Sequence, residues 1–554
     1  MTSPYDTYTS PLASRNASRE MLHLWSPRHK FNTWRRIWLA VAEAQHEITK
    51  DQPTPLVTKE QVEELRAVVS RPGGITDEEM KAAEKYEREL RHDVMAHVHA
   101  LGDSCPKTKG IIHLGMTSQD VVCNADLVII QQAMRLIEQK TDRAVMSLGV
   151  FATRTKTVAT LGFTHYQPAQ PVTMGRRVAQ WAHDLLSESP CSLSSNSFES
   201  MYRGLRGATG TQASFLSLLG DHTKVDELEH RFLWRMQRLQ NPDITRIDDE
   251  DDVIHKIYPS AHEQCGMSKE DLARVFEGRA FMLSAQTYSR TIDAEVLSRL
   301  AVTASVLHKI ATDIRLLCNR KELDEPFEDK QIGSSAMPYK RNPMRCERIC
   351  GLTRFVMNLV GNAYDTAATQ WLERTLDDSS NRRLSLPEAF LALDGALDLM
   401  HNVASGLIVH EAMVKKNLMA ELPFMATENI LMECVKLYVG WPDPTRSVGV
   451  PKGGDRQHYH ELIRVHAQAA GLRVKQEGKD NDLLDRLKAD KNFWSKARGG
   501  PLSAELDWDG VMDPMTYVGR SVEQTERFLK EVVEPLREQY KDALAGLEES
   551  SPRV

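Results

Sequence analysis

Apolar residues along this chain recur mostly at helical spacing. From Phe31 they fall at Trp34, Trp38, Val41 and Ile48, one face of an amphipathic helix. The stretch from Arg279 to Glu325 has no glycine or proline, and its residues Tyr288, Ile292, Val296, Leu300, Leu307, Ile310, Ile314 and Leu317 are spaced mainly by helical steps. A helix of about 35 residues there makes a rod roughly 50 Å long. Such a rod needs partner helices, and one subunit alone is not expected to cover its stripe. Asp120–Thr160 is a second long segment, with one glycine and no proline. Alternating runs of strand length are scarce. The pattern predicts an all-α protein with a central bundle of long helices.

Breaks in the pattern divide the chain. Residues 1–26 form a polar lead, expected to be flexible until a ligand orders it. A helical N-terminal domain follows over 27–117, then a long-helix domain over 118–409, then a helical C-terminal domain over 410–554, interrupted by WPDPTRSVGVPKGGD at Trp441–Asp455. Two segments are unusually polar: Ser187–Ser200, and Asn241–Ser260 with its acidic run Asp248–Asp252. The acidic run reads as a solvated loop open to protease rather than a metal site.

Composition narrows the class. The 554 residues are 41% hydrophobic and 27% charged, with a net charge of −7, as in a soluble globular protein without general attraction for nucleic acid or anionic membrane. No apolar run nears the roughly 20 residues that span a bilayer, and the first residues lack a signal-peptide core. The 8 cysteines form no CxxC pair, and Cys346 and Cys350 read as free thiols. A cytoplasmic protein is expected. An anionic substrate must then be held by local arginine and lysine.

The densest chemistry lies in QIGSSAMPYKRNPMRCER, Gln331–Arg348. Gly333, Pro338 and Pro343 make its first half a loop. Asn342-Pro343 then suits an N-cap and first helical position. Two serines, Lys340 and Asn342 thus share a strip before a helix. The phosphate-cradling pattern GxxxxGK[ST] is absent. Taken alone, the strip reads equally as a reactive loop or an ordinary connection.

The strip closely resembles the GSSxMPxKxNP signature of the fumarase/aspartase superfamily, whose members release fumarate by cleaving a C–N or C–O bond. Its SAMPYKRNP form looks like the adenylosuccinate lyase family. SPLASR (Ser10–Arg15), HLGMTSQD (His113–Asp120), THYQPAQPVT (Thr164–Thr173), GATGTQASF (Gly207–Phe215), AQTYSR (Ala285–Arg290), WLERTLDDSSNRR (Trp371–Arg383) and FMATENI (Phe424–Ile430) resemble it too. The resemblance implies Ser334 as general base, with Lys340 and the helix near Pro343 stabilising its alkoxide. It implies His165 as general acid, His92 as a substrate-contacting assistant, and Glu347 as the group that orients His165. Substrate anions fall to Arg15, Arg91, Arg348, Arg374 and Arg383. Asn16, Asp93, Thr117, Ser118, Gln286, Asn342 and Ser379 complete the expected contacts, with His97 and His99 structural.

By the same resemblance the substrate is a small nucleotide, adenylosuccinate or its imidazole-carboxamide relative, in purine biosynthesis. No metal or organic cofactor is implied. The assembly expected is a homotetramer with sites shared between subunits, the signature loop and the acid histidine coming from different chains. The alternatives are another fumarate-releasing lyase, such as argininosuccinate lyase, or a non-catalytic helical scaffold. The sequence departs from the family at Asn16, where a tyrosine is expected, and at Ser187–Ser200. It also has extra residues, mostly between Gly220 and Ala285, and an extended C-terminus.

Overall fold

A computed structural model describes residues 3–187, 201–240, 279–328, 330–333, 335–439, 456–490, 494–495, 500–501 and 506–539. Helices dominate it, as the periodicity predicts. The expectations for Asn241–Ser260, Trp441–Asp455 and nearly all of Ser187–Ser200 lie outside the described residues.

The lead is built into the fold, contrary to expectation. Leu12–Asn16 forms one π-helical turn, and α1 spans Arg19–Leu24. Leu12, Ala17 and Met21 are buried. Ser18 donates through its backbone N–H to Asp394 at 2.6 Å. Three apolar anchors among polar residues suffice to dock the segment, which composition alone does not reveal.

Helix α2 (Pro27–Thr49) begins where Ser26 accepts from the His29 N–H and Pro27 takes the first turn. Its Trp34, Ile37, Trp38 and Val41 are buried together, a helical stripe turned inward. With α3 (Lys59–Val69), α5 (Asp93–Ser104), and the later α8 (Ala213–Leu219) and α9 (His222–Gln240), it forms one hydrophobic core, and α4 (Asp77–Leu90) packs on α5.

The bundle has four long helices and a shorter one. Helix α6 (Ser118–Thr155) has 38 residues and α7 (Met174–Ser187) packs on it; α10 (Thr291–Asn319), α11 (Met344–Ala368) and α12 (Asp377–Gly406) complete the core. The predicted rod is therefore shorter than Arg279–Glu325. Phe281–Arg290 is a loop, and Lys321, at φ 61, turns the chain after Asn319. The stripe Val296, Leu300, Leu307, Ile310, Ile314 and Leu317 is buried within one chain. That corrects the expectation that a single subunit cannot cover it: α11 returns antiparallel along α10, α12 runs parallel to it, and together they do so. Val302 and Leu316 on α10, with Phe355 and Tyr364 on α11, stay exposed.

One hairpin escaped the helical reading. Strands β1 (Ala159–Thr164) and β2 (Gln167–Thr173) pair antiparallel, with Thr164 opposite Gln167. Two further short strands, β3 (Leu323–Asp324) and β4 (Ile408–Val409), tie the exit of α10 to the exit of α12. The helix Ser521–Phe528 and the residues after it return to the bundle: Lys156 pairs with Glu526 at 2.6 Å, and Val533 packs against Gly149. No described helix is long and apolar enough to cross a membrane.

Candidate active site

The expected site residues fall into groups at different places along the bundle. The first is at the Thr291 end of α10. Helix α5 starts at Asp93, and its N-cap His92 accepts from the Met95 N–H through Nδ1 at 3.3 Å. Its Nε2 lies 3.4 Å from Ser118 Oγ, on the first turn of α6. Arg383 donates to Asp93 at 3.0 Å, joining α12 to α5. Arg91, just before, takes the left-handed conformation (φ 56) that ends α4. Gln286 donates from its backbone to Glu373 O and from its amide to Ala208 O, which fixes the loop carrying Arg374. Ser379 lies on the first turn of α12, where its N–H donates to Leu376 O. Two helix N-termini, at Asp93 and Ser118, bring partial positive charge to a place rich in arginine, which suits an anionic ligand.

Beneath this group lies a buried charge network that motif reading missed. Asp120 accepts from the N–H groups of Thr117 (2.7 Å), Arg206 (2.8 Å) and Gly207 (3.1 Å), and from the Arg203 guanidinium. It thereby locks HLGMTSQD to GATGTQASF. Arg382 donates to Asp293 at 2.5 Å and Asp126 at 2.9 Å, and Tyr288 to Asp293 at 2.8 Å. Asp378 accepts from Arg290 at 2.7 Å and from Arg374 at 2.8 Å. Burial would raise the Asp378 pKa, but Arg290, Arg374 and Arg382 hold it below the usual carboxylate value. Arg374, expected on the substrate, thus already spends one Nη on Asp378. The missed residues sat inside AQTYSR and DDSSNRR; their pairing across the fold did not show in spacing.

Two histidines back this end. His97 is buried against Phe31, ring centroids 3.7 Å apart, and burial lowers its pKa to about 4. His113 accepts from Trp38 Nε1 at 3.1 Å, and burial likewise lowers it to about 4. His99 stacks on Tyr86.

The second group is at the Asn319 end. Ser334 lies outside the described residues, but its neighbours Gly333 and Ser335 do not. From Ser335 to Arg341, Lys340 included, the strip is exposed. Its neck is clamped. Glu325, buried, accepts from the N–H groups of Arg345 (3.0 Å) and Cys346 (2.6 Å). Arg345 returns to Pro326 O at 2.6 Å and Glu328 at 2.7 Å. Pro343 is the N-cap position of α11 and Met344 its first residue, one step later than predicted. Asn342 does not cap; it donates to Gly333 O at 2.8 Å across the strip. The positive end of α11 is therefore met by the chain's own Glu325. Glu347 and Arg348 follow on the first turns of α11. Burial and the neighbouring Arg15 and Arg345 lower the Arg348 pKa. Asn16 donates to Pro11 O at 2.9 Å within its own turn.

His165 forms a third group. With Tyr166 it makes the two-residue tip of the β1–β2 hairpin, both in the left-handed region (φ 52 and 55) and exposed. Such positions favour Asn-Gly and cost strain in other residues. Within the chain no hydrogen bond joins His165 to Glu347, His92 or Lys340 among the described residues.

Known proteins resemble this chain along most of its length. A family profile described as "Lyase" matches residues 18–229 and 267–358, and one described as "Adenylosuccinate lyase C-terminus" matches 447–528. The chain is 43% identical to adenylosuccinate lyase of Schizosaccharomyces pombe, across 96% of this chain and 95% of that one. It is 42% identical to the enzyme of the same name from Saccharomyces cerevisiae, again across 96% and 95%. A solved 3-carboxy-cis,cis-muconate lactonizing enzyme from Pseudomonas putida shares the fold, at TM-score 0.69 and 20% identity over 95% of this chain and 99% of that one. With relatives of this identity along nearly its whole length, the chain is a lyase of the adenylosuccinate lyase family.

Proposed function

We propose that this chain eliminates fumarate from adenylosuccinate to leave AMP, and from the related succinylated imidazole-carboxamide nucleotide, as a step of purine biosynthesis. The observation that carries the reading is the likeness, along nearly the full chain, to relatives named for that substrate.

The chemistry asks for a base, an acid and anion holders. Ser334 takes the proton from the carbon beside a carboxylate. The electron pair passes into that carboxylate and then expels the purine nitrogen. The intermediate carries extra negative charge, so fixed positive groups lower the barrier. Lys340 and Asn342 stand on the same strip. His165 protonates the leaving nitrogen, Glu347 orients it, and His92 assists. Arg15, Arg91, Arg348, Arg374 and Arg383 hold the carboxylates and phosphate, with Asn16, Asp93, Thr117, Ser118, Gln286 and Ser379 adding hydrogen bonds. No cofactor takes part.

These groups must meet, and in one chain they are separated. Helix α10 has 29 residues, so its ends stand roughly 40 Å apart. The His92–Arg383 group is at one end and the signature strip at the other. A homotetramer with shared sites brings them together, and the exposed Val302, Leu316, Phe355 and Tyr364 offer it apolar surface. We place the enzyme in the cytoplasm. The test is purified protein with adenylosuccinate and detection of fumarate. Fumarate release is expected; none, or faster turnover of argininosuccinate, overturns the reading.

A further inference from the structure

The N-terminal domain holds another concentration of positive charge, lined by none of the residues assigned to catalysis. A cavity of about 1040 Å³ opens between α2, the turn after α3 and α9. Guanidinium groups crowd its wall, and most are paired: Arg28 with Asp77, and others with shared carboxylates. Glu43 serves both Arg66 (2.8 Å) and Arg235 (3.1 Å). Glu47 serves Arg235 and Arg231, and Glu79 serves Arg35 and Arg71. Arg36, which also lines the cavity, has no carboxylate partner among the described residues. Crowding by protein lowers its pKa, and burial lowers that of His29 beside it, with Arg36 adding to the effect. Arg36, exposed on this wall, is thus open to an anion.

The wall is also oriented. Asn32 Oδ1 accepts from the Ile75 N–H at 2.7 Å, which leaves Nδ2 as a donor on the cavity wall. Gly74, at φ 66, packs so close to Asn32 that a Cβ would collide with it, so the turn pins the amide. Trp234 and Leu39 supply an apolar stretch of the same wall. The volume is at the upper end of the roughly 300–1,000 Å³ usual for small-molecule pockets, far more than one phosphate fills.

The geometry points to a second anion site in this cavity for a nucleoside polyphosphate, with its phosphates on Arg36 and Asn32 and its ring system against Trp234. Arginine and an oriented amide are the groups that recognise phosphate oxygens, and a half-buried indole is a stacking surface.

The test is calorimetric binding of ATP to the full-length enzyme with AMP and fumarate saturating the catalytic site. ATP is expected to bind still, at one equivalent per chain. Arg36→Glu, and as a second variant Asn32→Ala, should weaken it by at least about tenfold, with lyase turnover unchanged in the absence of ATP. Pyrophosphate should bind more weakly than ATP by a similar factor. Absence of ATP binding once the catalytic site is filled overturns the proposal, as does wild-type affinity in both variants. Pyrophosphate binding as tightly as ATP overturns the nucleoside assignment.

Discussion

The two ends of α10 solve opposite problems. At the Thr291 end, Asp293, Asp378, Arg290 and Arg382 are buried and paired between α10, the residue that precedes it and α12. At the Asn319 end, Ser335–Arg341 is exposed, and its firm attachment is the clamp of Glu325 and Arg345 at the neck. One end is a rigid cradle whose charges are spent on holding each other. The other is a strip free of the core except where it is fastened. A cradle suits binding of a fixed anionic shape. A fastened strip suits a base that must approach after the substrate has settled.

The comparison is broken most severely by separating the ends genetically. Ser334→Ala is expected to lower kcat by about 10³-fold or more while substrate still binds, and His92→Ala to be strongly impaired. Denatured together in equal amounts and refolded, the two variants should regain activity, because some sites draw the cradle from one chain and the strip from another. With random assembly and symmetric sharing, roughly a quarter of sites carry both wild-type groups. A co-assembled mixture no more active than each variant refolded alone would place both groups in one chain's site. The next largest effect is on stability. Asp293→Ala leaves Arg382 with Asp126 alone and takes the acceptor from Tyr288 in the interior, and should cost about 3–5 kcal/mol, read as a large fall in Tm; an unchanged Tm would mean that the cradle is not rigid for the stated reason.

The neck should behave differently. Glu325→Gln keeps the side chain's size but can accept with only one oxygen, at a cost near 1 kcal/mol. Its expected signature is a drop in kcat of about tenfold with KM and Tm little changed. Equal loss of Tm and kcat would make Glu325 a structural residue only. A further effect is with pH. His97 and His113 sit at about 4 in the folded chain against about 6.5 unfolded. Between these values the unfolded chain binds more protons, so this contribution is full above pH 6.5 and is lost as pH falls towards 4. Tm should decline modestly from pH 6.5 to 5, and His113→Asn should flatten the decline; a Tm that rises over that window would reverse the sign argument.

Much of the fold was legible because α2, α6 and α10 repeat one short rule many times. The β1–β2 hairpin was not, since Pro168 and Pro171 stand in its second strand, where proline argues against strand. The end of the rod at Thr291 was not legible either: residues 281–290 keep apolar spacing without helix. At the site, short motifs pointed to the candidate ligand-facing residues. Their holders were hidden, because Asp120 with Arg203, and Asp293 with Arg382, are distant in the chain and meet only in the fold. Glu325 was hidden for another reason: the helix it caps was expected to cap itself with Asn342.

The left-handed tip of the hairpin sets two kinds of selection against each other. A turn with φ 52 and 55 at successive residues is most comfortable as Asn-Gly. Selection for stability alone would drift towards that pair and remove the imidazole. On the proposed role of His165 as the acid, stability-directed libraries of this chain should discard it early while libraries selected for turnover keep it.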